Sequence, residues 1–187
     1  MKILCLQDGS WKTKLSEDLL RKIGQAVKKS GGSLELIDLA EGDLAYCIGC
    51  LRCWAAESGR CFVKDKIYEL EDRLDDWDLI IYLTPIVFGT CTPVIKTVVE
   101  KGLGMNLFDE RHLPQVFIGF ADDFPENTAD DEIRCFTDII VKHMGWADIV
   151  HPELSDIPID VFIIRSLTDN TGLAEKFKTR YLEGSIT

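Results

Sequence analysis

The chain has 187 residues, of which 46% are hydrophobic, and a formal net charge of −11. This length and apolar content suit one α/β domain with a full core. The charge excludes nucleic acid as an expected partner, because phosphate backbones bind to basic surfaces. The start at Met1 runs directly into an apolar strand, with no leader pattern and no apolar run near eighteen residues. We therefore expect a cytoplasmic protein without membrane association.

Strands and helices alternate in the first half of the chain. Short apolar runs predict strands at 2–6, 34–39 and 79–83. Between the first two, a helix is expected with Ser16 as its N-cap and an end at Gly31–Gly32. Its apolar positions recur at helical spacing: Leu19, Leu20, Ile23, Ala26 and Val27. A second helix is marked by Ile67, Leu70, Leu74 and Trp77.

The second half continues the alternation. A helix is predicted over 92–101 and a strand over 115–119. Another helix carries one apolar face, formed by Ile133, Phe136, Ile139, Ile140 and Met144. A possible strand near 148–151 follows, and 161–164 is either a further strand or a packed extension. The last predicted helix covers 173–182.

This order predicts a flavodoxin-like three-layer sandwich. Continuous apolar strands alternating with amphipathic helices indicate a parallel sheet with helices on both faces. Five strands in the order 2-1-3-4-5 are expected, within a single domain over 1–187 that carries a cysteine-rich loop insertion at about 40–64. Ligands of such folds bind at the carboxyl ends of the strands, where the segments 7–16, 40–61, 84–91 and 120–128 would meet.

Four of the seven cysteines lie within fifteen residues: Cys47, Cys50, Cys53 and Cys61. In a reducing compartment such a cluster indicates metal binding or redox activity before it indicates disulfides. Two-residue gaps let successive thiolates face one centre, and the longer gap lets the fourth close it. The run favours an iron–sulfur centre. The alternatives are redox or structural thiols without metal, and zinc, although structural zinc usually takes two separated pairs.

The segment between the first strand and its helix is a candidate phosphate loop. It offers hydroxyls, ammonium groups and the backbone N–H groups of a helix N-terminus. The candidate residues are Ser10, Lys12, Thr13, Lys14 and Ser16. The alternative is an ordinary βα loop with solvated lysines, because the segment matches neither the dinucleotide fingerprint nor the P-loop.

The segment directly after the third strand is a candidate flavin loop. Its exposed amides and the ring of Phe88 could lie against a flat heterocycle. The candidate residues are Pro85, Ile86, Val87, Phe88, Gly89 and Thr90. The alternative is a plain βα turn in which Thr90 caps the next helix.

These motifs together resemble the iron–sulfur flavoproteins, within the broader NADPH-dependent FMN reductase group of flavodoxin-like proteins. The compact cysteine motif of that family, with gaps of two, two and four to seven residues, fits the four cysteines here. The family's Gly-Ser-Pro-Arg loop corresponds to Gly9-Ser10-Trp11-Lys12, and its Pro-x-Tyr-x-Gly loop to 85–89. The resemblance spans about residues 1 to 105.

The resemblance implies a redox protein with non-covalent FMN, its phosphate on the first loop and its isoalloxazine against the second. It further implies a [4Fe-4S] cluster on the four cysteines, NAD(P)H as a possible donor, and a small-molecule or protein redox partner. Members of the family form homodimers or homotetramers, with the flavin near a subunit interface. No catalytic residue is assigned.

Two alternatives remain open on the sequence. The first is an NAD(P)H-dependent FMN or quinone reductase whose cysteines carry no cluster. The second is a non-enzymatic flavodoxin-like module. It is motivated by departures from the family pattern: the phosphate loop lacks the family's proline and its Gly-Asn-Thr segment, and the stretch 120–128 is long and acidic.

Overall fold

A computed structural model describes residues 1–55, 60–108, 113–120, 159–164 and 177–183. Within these ranges the strands form one parallel sheet in the order β2-β1-β3-β4-β5. The strands are β1 (Lys2–Gln7), β2 (Ser33–Asp38), β3 (Leu79–Pro85), β4 (Gln115–Phe120) and β5 (Ile159–Ile164). The predicted α/β fold with a parallel sheet is confirmed.

Helices cover both faces of the sheet, as their apolar stripes predict. On one face, α1 (Lys14–Lys29) packs Leu19 and Ile23 against Ile3 and Ile81. On the other face lie α3 (Lys66–Glu71) and α4 (Pro93–Phe108). Their apolar side chains pack against the side chains of β1, β3 and β4 on this second face of the sheet. These include the rings of Tyr82 and Phe117, which stack with their centroids 4.4 Å apart. The alternation along each strand divides the core into these two clusters.

The first helix begins three residues earlier than its expected start after Ser16. Thr13 is the N-cap, and its side chain accepts a hydrogen bond from the Ser16 N–H at 3.2 Å. The Ser16 hydroxyl in turn accepts from the Thr13 N–H at 2.9 Å. The prediction of Ser16 as the N-cap is therefore wrong, because two hydroxyl residues three apart form a reciprocal capping box with the first of them outside the helix. The predicted end at Gly31 is confirmed by its φ of 74°.

The later elements differ from their predictions in extent. The helix expected to run to Trp77 stops at Glu71, and a 3₁₀ turn over Leu74–Asp76 follows. This path buries both Leu70 and Trp77 in one cluster. Next, α4 extends beyond 101 to Phe108, and Thr92, rather than Thr90, caps it with a bond from the Ile95 N–H at 3.5 Å.

Three predictions fall wholly or partly on residues outside the described ranges. These are the helix around 133–144, the strand near 148–151 and the residues 173–176 of the helix predicted over 173–182, whose residues 178–182 fall in a π-helical turn over Lys178–Glu183. The segment 161–164 lies within β5. In the described part of the chain, no helix is both long and apolar enough to cross a membrane.

Candidate functional site

The loops that follow β1, β2 and β3 meet at the carboxyl edge of the sheet. Asp38, the last residue of β2, lies beside Gln7 of β1 in the parallel register. Its carboxylate accepts hydrogen bonds from the N–H groups of Gly9 at 2.8 Å and Ala40 at 3.0 Å, both to Oδ1. The end of β2 is thereby attached to the candidate phosphate loop.

The hydroxyls of the phosphate loop are committed to internal hydrogen bonds. Asp8 caps a 3₁₀ turn over Gly9–Trp11 and accepts from both the N–H and the hydroxyl of Ser10. Thr13 and Ser16 bond to each other in the capping box. Three of the five predicted phosphate ligands thus shape the loop.

The donors left for an anion are backbone N–H groups and lysines. Among the described residues, the N–H groups of Lys12, Lys14 and Leu15 have no hydrogen-bond partner. These groups surround the N-terminus of α1, a helix of 16 residues whose dipole favours negative charge there. The ammonium of Lys12 lies 3.2 Å from Asp38 Oδ2, whereas Lys14 is exposed and has no ion pair among the described residues.

The candidate flavin loop is a two-residue turn that presents an aromatic ring to solvent. Val87 and Thr90 exchange two backbone hydrogen bonds, at 2.8 and 3.0 Å. Phe88 and Gly89, between them, have φ values of 49° and 71°. Left-handed backbone at both central positions defines a type I′ turn. The Phe88 side chain is 91% exposed, while Pro85 and Ile86 before it are buried.

Backbone strain coincides with the two candidate sites. Only two non-glycine residues in the described part of the chain have a positive φ: Phe88, and Leu51 at 56° in the cysteine segment. A side chain in left-handed backbone costs about 1–2 kcal/mol. Such strain accumulates where a side chain must be held in one place for function.

The cysteine segment presents its thiols near the surface. Cys47 and Cys50 are exposed, whereas Cys53, on the short helix α2 (Arg52–Ala55), and Cys61 are half-buried. No disulfide joins the described cysteines. Within the described residues, no three or more His, Cys, Asp or Glu side chains are placed to hold one metal ion. Four thiols are the donor set that an iron–sulfur cluster requires.

The cysteine segment is anchored by Asp65, which was not among the site residues predicted from the sequence. Its Oδ1 accepts from the N–H groups of Ile67 at 3.1 Å and Tyr68 at 3.3 Å, capping α3. Its Oδ2 accepts from the Ala45 N–H at 3.0 Å and from the ammonium of Lys101 on α4. The Asp–Lys pair is buried, with exposed side-chain fractions of 1% and 2%. The signal available was an Asp two residues before the first apolar residue of a helix.

Arg60 stabilises the end of the cysteine segment next to Cys61. It bonds Glu71 at 3.1 Å and Asp72 at 2.8 Å, and its guanidinium lies over the ring of Tyr68. Burial raises the pKa of Glu71, an effect that Arg60 and the Cys61 N–H partly offset. These contacts hold the chain next to Cys61 against α3.

A cavity of about 280 Å³ lies at the opposite end of the strands. It is lined by charged groups that pair with one another. Arg73 holds the carboxylate of Glu35 through two bonds of 2.9 Å, and Trp77 donates to Glu35 at 3.0 Å. The charged groups at this end stabilise the fold and offer little for a ligand.

The donors at the carboxyl edge fit the phosphate and the flat ring system of FMN. The unpartnered N–H groups and Lys14 suit a phosphate, and the exposed ring on a rigid turn suits a flat heterocycle. A parallel sheet with ligand loops at its switch point defines the class of flavodoxin-like proteins.

The comparisons with known proteins place the chain more narrowly. Residues 1–110 match the family model of the NADPH-dependent FMN reductases, so the chain belongs to that family. It is 31% identical over 117 residues to an iron–sulfur flavoprotein of Archaeoglobus fulgidus, covering 63% of this chain and 56% of the relative. The matches cover between 34% and 56% of the length of the curated relatives.

Solved structures agree on the fold. An NAD(P)H:quinone oxidoreductase from Methanothermobacter marburgensis superposes with a TM-score of 0.68 and 15% identity, covering 100% of this chain and 98% of the other. A flavodoxin variant from Pseudomonas aeruginosa gives 0.53 and 13%, with coverages of 98% and 97%. These likenesses confirm the flavodoxin-like fold.

Proposed function

We propose that this protein is an FMN-dependent oxidoreductase. The observation that carries the proposal is the type I′ turn after β3, which holds Phe88 exposed in strained backbone. This turn lies in the part of the chain that matches the FMN reductase family. An exposed ring in that conformation has no packing role in the fold, and contact with a ligand would account for the strained backbone that holds it there.

The residues of the two loops would divide the flavin between them. The N–H groups at the start of α1, with Lys12 and Lys14, would hold the phosphate. Phe88 and the backbone of 86–90 would contact the isoalloxazine. When bound, FMN supplies the capacity to accept a hydride from a donor such as NAD(P)H and to pass electrons to an acceptor. The chain's own part is to bind and orient the flavin and to exclude water from one of its faces.

The test is the flavin content of anaerobically purified protein, before and after incubation with FMN. We expect yellow protein that binds FMN and oxidises NAD(P)H when an acceptor is added. Phe88→Ala should lower FMN affinity by about tenfold, because base-type stacking on an aromatic ring is worth about 1–3 kcal/mol. Leu36→Ala, which removes another exposed apolar side chain from β2, is the control. Protein that takes up no FMN would refute the proposal.

The finer form of the proposal is an iron–sulfur flavoprotein-type electron-transfer protein, with Cys47, Cys50, Cys53 and Cys61 as ligands of a [4Fe-4S] cluster. Its support is the spacing of the cysteines and the similarity to the Archaeoglobus relative. About four irons and four sulfides per chain after anaerobic reconstitution would agree with it. Replacing Cys50 with serine should then remove iron but leave FMN bound.

A second candidate is a cluster-free NAD(P)H-dependent FMN or quinone reductase. Its support is the match of residues 1–110 to the family model of the NADPH-dependent FMN reductases. Protein that retains FMN and oxidises NADPH but takes up no iron or sulfide would establish this version. Tight binding of FMN together with its reversible reduction would exclude the non-enzymatic module, whether or not a cluster is present.

We further propose that the protein forms a homodimer or homotetramer, as the family resemblance implies. Its redox partner would be a small molecule or another protein. The support here is a group of exposed apolar side chains on the loops of the carboxyl edge: Trp11, Tyr46, Ile48, Leu51, Phe62 and Phe88. Light scattering after size exclusion measures the mass in solution, and a monomer at micromolar concentration would contradict the expectation.

A further inference from the structure

The two carboxylate oxygens of Asp38 do different work. Oδ1 accepts both backbone N–H bonds, from Gly9 and Ala40, whereas Oδ2 pairs with the ammonium of Lys12 at 3.2 Å. The side chain of Asp38 is 14% exposed and that of Lys12 is 54% exposed. The carboxylate is held in the loop by two backbone bonds, whereas the lysine is held by the ion pair alone and is half exposed.

Asp38 lies in the loop because Gly9 leaves room for it. A Cβ on Gly9 would fall 1.6 Å from Asp38 Oδ2, so no other residue could occupy position 9 without displacing the carboxylate. Burial raises the pKa of Asp38, but the N–H groups of Gly9 and Ala40 and the ammonium of Lys12 lower it below its ordinary value. An anion therefore already occupies part of the donor set of the candidate phosphate loop.

A flavin phosphate that approached this loop would compete with Asp38 for Lys12. If Lys12 turned to the phosphate, Asp38 would lose its ammonium partner but keep its two N–H bonds. If Lys12 stayed, the phosphate would meet a carboxylate of the same sign. In both cases Asp38 weakens the binding of the flavin phosphate and so lowers the affinity for FMN. The affinity for riboflavin, which has no phosphate, is not lowered in this way.

We propose that Asp38 lowers the preference of this site for phosphorylated over unphosphorylated flavin by competing with the flavin phosphate for Lys12. The inference rests on the proposed function and adds a positioning residue to it. The uncommitted phosphate donors are then Lys14 and the N–H groups at the start of α1.

The experiment measures the affinities of FMN and riboflavin for the full chain by fluorescence quenching, and takes their ratio. Asp38→Asn retains the Oδ1 acceptor and removes the partner of Lys12. It should tighten FMN binding about threefold to tenfold and change riboflavin binding by less than about twofold. Adding Lys12→Met to Asp38→Asn should abolish the gain. The inhibition constant of inorganic phosphate as a competitor of FMN should also be lower for Asp38→Asn than for the wild type.

Asp8→Asn is the matched control. It removes one negative charge from the same loop, but the Asp8 carboxylate bonds Ser10 and is not paired with Lys12. If Asp38→Asn does not fold, Asp38→Ser offers a hydroxyl acceptor to the same N–H groups and is measured instead.

An unchanged FMN-to-riboflavin ratio in a folded Asp38 variant would overturn the proposal. So would an equal gain in Asp8→Asn, or a gain that survives Lys12→Met, since each would leave Lys12 without a role. Wild-type protein that binds neither flavin would overturn the proposed function, and with it this inference.

Discussion

The buried ion pair between Asp65 and Lys101 anchors the cysteine segment, and its removal gives a quantitative prediction. Both side chains are buried, at 1% and 2% exposure, and they join positions 36 residues apart. Lys101→Met leaves a buried carboxylate with only the N–H groups of Ala45, Ile67 and Tyr68. Removing one partner of a buried pair costs about 3–5 kcal/mol, so the free energy of unfolding should fall by that amount.

The pairwise part of this energy follows from a double-mutant cycle. Asp65→Asn should also cost about 3–5 kcal/mol, because it leaves the ammonium of Lys101 without its charge partner while Oδ1 still caps α3. The double variant carries no buried charge, so its cost should fall well below the sum of the two single variants. Urea unfolding with linear extrapolation measures all four proteins.

The control for this cycle lies on the same helix. Lys96 is 57% exposed and pairs only with Glu100 at 3.6 Å, so Lys96→Met should cost no more than about 0.5 kcal/mol. Single variants at 65 and 101 that cost less than about 1 kcal/mol, or that add without coupling, would show that the pair does not hold the segment.

Three further predictions concern the loops and the sheet ends. Gly9→Ala should destabilise the fold by about 1–3 kcal/mol in urea unfolding, since its Cβ must displace Asp38; an unchanged midpoint would show that the carboxylate moves freely. Thr13→Ala should cost about 1 kcal/mol through the lost cap of α1, measured by thermal unfolding. Hydrogen bonds from Arg73 lower the pKa of Glu35 in the folded protein. The stability that ionised Glu35 contributes is therefore complete above its ordinary pKa of about 4.3 and is lost as the pH falls through the lower folded value. Glu35→Gln should flatten that part of the curve of stability against pH.

The sheet was predictable from the sequence because buried parallel strands are continuous apolar runs. Ile80 to Leu83 is such a run, and it lies at the centre of the sheet. The start of α1 was less predictable, because Thr13 and Ser16 are both good caps and only the backbone decides which one lies outside the helix. The capping rule looks for Glu or Gln at the third position, and here a serine takes that place.

The candidate loops were predictable as positions but not as chemistry. Ser10, Thr13 and Ser16 were chosen for their hydroxyls, and the structure commits all three to internal bonds. Asp38 was read as a strand residue. Its role depends on the adjacency of β1 and β2, since parallel neighbours end at the same level and place Asp38 beside the loop that follows Gln7. A partner such as Lys101, distant along the chain, is visible only once the fold is known.

The start of α3 connects the cysteine segment to the elements that carry the candidate phosphate loop and the candidate flavin loop. Asp65 connects it to α4, the helix that follows the Phe88 turn. The ammonium of the next residue, Lys66, bonds the backbone carbonyls of Asp38 and Glu41, at the end of β2. The thiols of Cys47 and Cys50 lie beyond these anchors and are exposed. Asp65 and Lys66 therefore fix the base of the cysteine segment beside the end of β2 and the start of α4, and substitutions at the exposed Cys47 and Cys50 should leave that base intact.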